Sequence, residues 1–97
     1  MKDAKYKQTK KYDVTKIDTD ILLIPFNGDG ASQKAVLLNE ISATMFEYIG
    51  EGKTLSDIIA LLMEMYDVEQ DKLEEDISKC IEQLVSLNVI DLVELLE

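Results

Sequence analysis

The sequence predicts an α+β domain in which a three-stranded antiparallel meander precedes three helices. Three observations carry that prediction. Residues 12–38 hold short apolar runs of strand length separated by turn residues. From Asn39 onward the apolar spacing changes to the three-and-four rhythm of a helix. The 97 residues, 46% of them hydrophobic, suffice for one core and leave little room for a second. Strands grouped apart from helices point to α+β rather than to alternating α/β units.

Residues 1–11 are polar and lysine-rich, with Ala4 and Tyr6 as apolar exceptions, and are expected to form a flexible tail ahead of a folded domain at 12–97. Tyr12–Ile17 alternates apolar and polar residues, as a half-buried strand does. Asp18-Thr19 is a plausible tight turn. Asp20–Phe26 is apolar on both faces, and Pro25, which cannot donate to a ladder, marks the end of that strand. Asn27–Ser32 is loop chemistry with two glycines, and Gln33–Leu38 reads as the third strand.

Asn39 suits an N-cap, and Ile41, Met45, Tyr48 and Ile49 share one face of the helix it opens. Gly50 and Gly52 flank its end. Thr54-Leu-Ser-Asp57 resembles a capping box and starts a second helix with a stripe of Ile58, Ile59, Leu62 and Met65. After a break at Tyr66–Glu69, a third helix spans about 70–88, with Leu73, Ile77, Cys80, Leu84 and Leu87 facing inward. Ile81 and Val85 widen that face beyond the ~100° arc one core contact requires. Val89–Glu94 fits either a last strand or a helical extension. A helix trio beside strands gives a winged helix-turn-helix-like arrangement.

Composition narrows the function. Ten lysines against twenty acids give a net charge of −10. Residues 1–50 balance seven lysines against seven acids, and six of those lysines fall within the first sixteen residues. Residues 51–97 set three lysines against thirteen acids and carry the whole excess. Such a surface repels nucleic acid and anionic membranes. The third helix, which a DNA-binding winged helix presents to the groove, offers Lys72 and Lys79 against seven acids between Asp67 and Glu82. DNA binding is excluded on that ground. The single cysteine, Cys80, rules out an internal disulfide and suits a reducing compartment. With neither a signal-peptide pattern nor an apolar run of membrane-spanning length, the chain is read as cytoplasmic.

The inventory for catalysis is poor. There is no histidine, hence no imidazole base and no thiol–imidazole nucleophile. Cys80 reads as a small buried hydrophobe. Glu74, Glu75 and Asp76 are consecutive, so a helix points them in different directions and they cannot converge on a metal. Asp67–Asp76 lacks the central glycine of a calcium loop, and Gly28-Asp-Gly30 is too short for a phosphate loop. The chain is read as no enzyme, with no cofactor.

The residues also resemble a family. The chain reads Val36-Leu-Leu-Asn-Glu-Ile-Ser-Ala43, then Met45-Phe-Glu-Tyr-Ile-Gly-Glu-Gly-Lys-Thr-Leu-Ser-Asp-Ile-Ile59, Tyr66-Asp-Val68, Glu75-Asp-Ile77 and Leu84-Val-Ser-Leu-Asn-Val-Ile90. In order and spacing this resembles the PqqD family, which includes the leader-peptide recognition elements of ribosomally made, modified peptides. The match covers residues 12–92. Asn88 stands where the family has glycine, and asparagine also accepts the left-handed conformation.

The resemblance implies that a precursor's leader adds as an antiparallel strand to the third strand, in the groove beside the third helix. It places peptide contacts at Lys34, Ala35, Val36 and Leu37, and at Asp76, Cys80, Gln83 and Leu84. For the helix side, the opposite margin at Ile81 and Val85 stays open. The implied partners are the leader peptide and a modifying enzyme, either a radical S-adenosylmethionine protein or a lasso-type protease and cyclase pair. The alternative is an adaptor subunit that holds such an enzyme without binding a leader. The acidic helices lead us to expect Lys or Arg near the leader's apolar anchors.

Overall fold

A computed structural model describes residues 3–25 and 35–96. Its elements run β1 (Asp3–Gln8), β2 (Tyr12–Ile17), β3 (Asp20–Pro25), β4 (Val36–Leu38), α1 (Glu40–Gly50), α2 (Leu55–Met65), α3 (Gln70–Ser86) and β5 (Ile90–Leu96). The predicted meander is present as an antiparallel sheet in the order β2-β3-β4, followed by the three helices. The predicted loop at 27–32 lies outside the described residues.

β2 and β3 are joined by a two-residue turn, because Ile17 pairs with Asp20 and Asp18 takes a φ of 56°. Tyr12, Ile21, Leu23, Val36 and Leu38 are buried from this sheet against the helices. The half-buried pattern expected for β2 needs correction. Of its residues only Tyr12 is buried; Val14 shares the core-facing row with Leu23 and Val36 yet is 46% exposed. β2 is an edge strand that overhangs the helices, so apolar alternation there outruns the surface available to cover it.

The helices form where capping predicts them. The Asn39 side chain accepts from the Ser42 N–H at 3.0 Å, and Thr54 Oγ1 accepts from the Asp57 N–H at 3.3 Å. The buried face of α1 is Ala43, Met45, Phe46 and Ile49, rotated from the predicted face, with Ile41 and Tyr48 only partly covered. In α2 the predicted Met65 is 54% exposed and Leu55 takes its place in the core. α1 ends with Gly52 at φ 85°, where Gly52 N donates to Ile49 O and Lys53 N to Tyr48 O. α3 ends the same way at Asn88, φ 61°, with Asn88 N donating to Val85 O and Val89 N to Leu84 O. This paired exit is the Schellman motif, and asparagine accepts it in place of glycine.

The flexible tail expected over 1–11 is corrected for residues 3–8, which are β1. It pairs antiparallel with β5 as a separate two-stranded ribbon, and this pairing also settles Val89–Glu94 as mostly strand. Lysine-rich β1 finds acids on β5, with Lys5 opposite Glu94 and Lys7 opposite Asp91. Polar bonds then fix the ribbon to the body. Gln8 Nε2 donates to Phe46 O at 2.9 Å, so close to α1 that a Cβ on Gly50 would lie 2.7 Å from that nitrogen. Thr9 N donates to Val89 O, and Asp3 accepts from both the N–H and the hydroxyl of Ser56, each at 2.8 Å. Ala4 and Ile90 are buried beneath the ribbon. Among the described residues, no helix is long and apolar enough to cross a membrane.

Candidate functional site

β4 pairs with β3 through Leu38–Ile21, Leu37–Leu22 and Val36–Leu23, and carries no strand on its other side among the described residues. An edge strand presents alternate backbone N–H and C=O groups outward. Beside β4 runs α3, and between them lies a groove of ≈ 370 Å³ lined by Leu37, Leu38, Asn39, Ser42, Asp76, Lys79, Cys80 and Gln83. A smaller cavity of ≈ 70 Å³ adjoins it, sharing Asn39, Ser42 and Asp76 and adding Ile41 and Val68. The path therefore extends past the N-terminus of α1 toward the α2–α3 connection.

The local sequence explains this arrangement. Asn39 ends β4 and caps α1 at once, so strand edge and helix start meet at one residue. On α3, Leu73, Ile77, Ile81 and Leu84 enter the core, and the spacing of 76, 79, 80 and 83 sets one neighbouring margin toward β4. Of the predicted contacts, Leu37, Asp76, Cys80 and Gln83 line the groove, and Leu37 is 60% exposed. Ala35 is exposed just before β4. Val36 and Leu84 sit in the core, Leu84 with no exposure, because both are on the inward rows of their elements. Lys34 lies outside the described residues. The question of margin is answered by position: Ile81 is buried in the core, Val85 is partly exposed, and the Cys80 side faces the groove.

Sequence reasoning missed Leu38, Asn39, Ser42 and Lys79. Lys79 was within reach, since it is three residues beyond Asp76 and four before Gln83 on a helix. Ser42 carried no such signal, because only the crossing of α1 over α3 brings it to Cys80.

The electrostatics of the lining are balanced. Lys79 Nζ lies 2.9 Å from Glu75 and Lys72 Nζ 3.1 Å from Asp76. The hydrogen bond and charge of Lys79 hold Glu75 below its ordinary carboxylate value, and Glu75 in turn raises Lys79. Burial pushes the Cys80 thiol above its ordinary 9.0, and a bond with Ser42 opposes that shift without cancelling it. The thiol thus stays protonated at neutral pH and makes a poor nucleophile. No cluster of metal-ligating side chains occurs among the described residues. What remains is a strand edge, an apolar rim at Leu37, and a wall able to form hydrogen bonds through Asn39, Ser42, Gln83 and the two charged groups.

A family model described as coenzyme PQQ synthesis protein D (PqqD) matches residues 26–90. No curated protein matches the chain. Among solved structures the fold is similar to one described as TbiB1 in complex with the TbiA(beta) leader peptide. The TM-score is 0.72 at 18% sequence identity, over 88% of this chain and 94% of that one. At that identity the likeness establishes a common fold.

Proposed function

The chain belongs to the PqqD family, and from that premise we propose that it binds the leader segment of a precursor peptide and delivers it to a modifying enzyme. The observation that carries this reading is the β4 edge, which has no partner strand among the described residues and faces a groove walled by α3. The similarly folded TbiB1 structure contains a leader peptide, which supports the same mode here. An extended peptide would lie antiparallel to β4, bonded through main-chain groups of residues 35–38. Its side chains would alternate between solvent and the α3 wall. Main-chain bonding supplies affinity that is tolerant of sequence; Leu37, Ser42, Asp76, Lys79, Cys80 and Gln83 supply selection.

The function is binding without catalysis, in keeping with a protonated thiol and a chain that has no histidine. The receiving enzyme is a radical S-adenosylmethionine protein or a lasso-type protease and cyclase pair, and the setting is the cytoplasm.

The experiment is an amide chemical-shift titration with the leader region of a precursor peptide encoded nearby. The expected shifts concentrate on residues 35–38 and 76–83, and Leu37→Asp weakens binding about tenfold, or 1.4 kcal/mol. A silent titration at millimolar peptide would overturn leader binding for that peptide and favour the adaptor role.

A further inference from the structure

The acidic excess of the helices is not in the groove. There Asp76 and Lys79 balance, and both lysines of α3 are spent on Asp76 and Glu75. Helical spacing puts Gln70 and Glu74 on the opposite margin of α3. That margin forms one wall of a larger cavity, ≈ 700 Å³, lined by Asp3, Ser56, Ile59, Ala60, Met63, Gln70 and Glu74. Its lining joins three apolar side chains (Ile59, Ala60 and Met63) to two carboxylates, Asp3 and Glu74. The other ion pairs among the described residues are Lys16–Glu47 and Lys53–Glu51, so among those residues no lysine pairs with Asp3 or Glu74. α2 contains no lysine at all, and Asp57, Glu64 and Asp71 flank the cavity within one helical turn. The Asp3 carboxylate is held in place by Ser56, so one of the two carboxylates is fixed before anything binds.

We propose that this α2–α3 cavity is a second polypeptide-docking site, taking a basic segment of the modifying enzyme in which Lys or Arg flanks a leucine-sized apolar side chain. The apolar side chain rests on Ile59, Ala60 and Met63, and the cations meet Asp3 and Glu74. With α3 standing between the two sites, the segment and a peptide in the β4 groove are bound together. In naming the modifying enzyme as the source of the segment, the proposal rests on the delivery reading; the site itself does not.

The test uses the full chain and a synthetic probe of about ten residues alternating Lys and Leu, with a Lys–Ser peptide of equal charge as control. Amide shifts should centre on Ser56, Ala60, Met63, Gln70 and Glu74. Ala60→Lys, at an exposed helix position, and Glu74→Lys, at a half-buried one, should each weaken the Lys–Leu probe about tenfold, and the Lys–Ser control should bind about tenfold more weakly. Leu37→Asp, which disables the groove, should leave probe affinity unchanged, so failure of leader binding and failure of this site give different results. Equal binding of both probes, shifts spread over every acidic surface, or loss of binding in Leu37→Asp would each overturn the proposal.

Discussion

The two sheets of this domain are held by different forces. The β2-β3-β4 meander is held by burial: Ile21, Leu23, Val36 and Leu38 pack on the helices, with Leu23 fully enclosed. The β1–β5 ribbon adds to the burial of Ala4 and Ile90 a set of polar contacts made over long stretches of chain, from Asp3 to Ser56, Gln8 to Phe46 and Thr9 to Asn88 and Val89. Burial anchors one face of the meander and leaves its β4 edge without a partner strand among the described residues. The ribbon instead ties both ends of the chain to the helices, so that α3 has a fixed position against that edge. An open edge is therefore compatible with a stable domain, because stability resides in the sheet's face and in a brace built elsewhere.

The largest effect expected from breaking this contrast is in the meander. Leu23→Ala should cost about 2–5 kcal/mol in denaturant unfolding, since the fully buried side chain leaves a cavity. A cost below about 1 kcal/mol would mean that the sheet face is not the main anchor. In the ribbon, Gln8→Ala should cost only about 1 kcal/mol, the net worth of one hydrogen bond, measured in the same way. Thr54→Ala, which removes the cap of α2 beneath the ribbon, should cost a similar ~1 kcal/mol.

The ribbon should also show a dependence on acid pH. Bonds from the backbone and hydroxyl of Ser56 hold the Asp3 carboxyl below its ordinary 3.8. A depressed folded value means that the stabilisation is present above 3.8 and is lost as pH falls through the folded value. Asp3→Asn should thus lower the Tm at pH 7, and the gap from the natural chain should close in strong acid. A gap that persists unchanged there would assign the effect to shape rather than charge. The smallest effect lies in the groove. Cys80, with its thiol pushed up by burial, should alkylate more slowly than free cysteine at pH 7.5, and more slowly still with leader bound, as read by mass spectrometry. Reaction at the rate of free cysteine would place the thiol outside the wall.

The same division of forces explains what was legible in advance. Apolar periodicity and the Asn39 and Thr54 caps are local signals, and they located the meander and the helices; Leu37, Asp76, Cys80 and Gln83 came instead from the family resemblance. The face of α1 was misjudged because Tyr48 and Ile41 are as apolar in sequence as Phe46 and Ala43, and only the crossing angles of the neighbours select among them. Met65 and Val14 continue apolar stripes past the point where any partner surface remains to cover them.

By itself, the sequence determined the α+β class, the order of strands and helices in the body, the acidic surface and the absence of imidazole chemistry. These follow from spacing, capping and composition, which act over a few residues or over the chain as a whole. Tertiary structure decided that a lysine-rich segment becomes β1, because its partners Asp91 and Glu94 lie more than eighty residues away. It also decided which margin of α3 faces β4 and which faces the acidic cavity. A helix wheel ranks the sides of a helix by polarity, but only packing against α1, α2 and the sheet turns a side toward a particular neighbour.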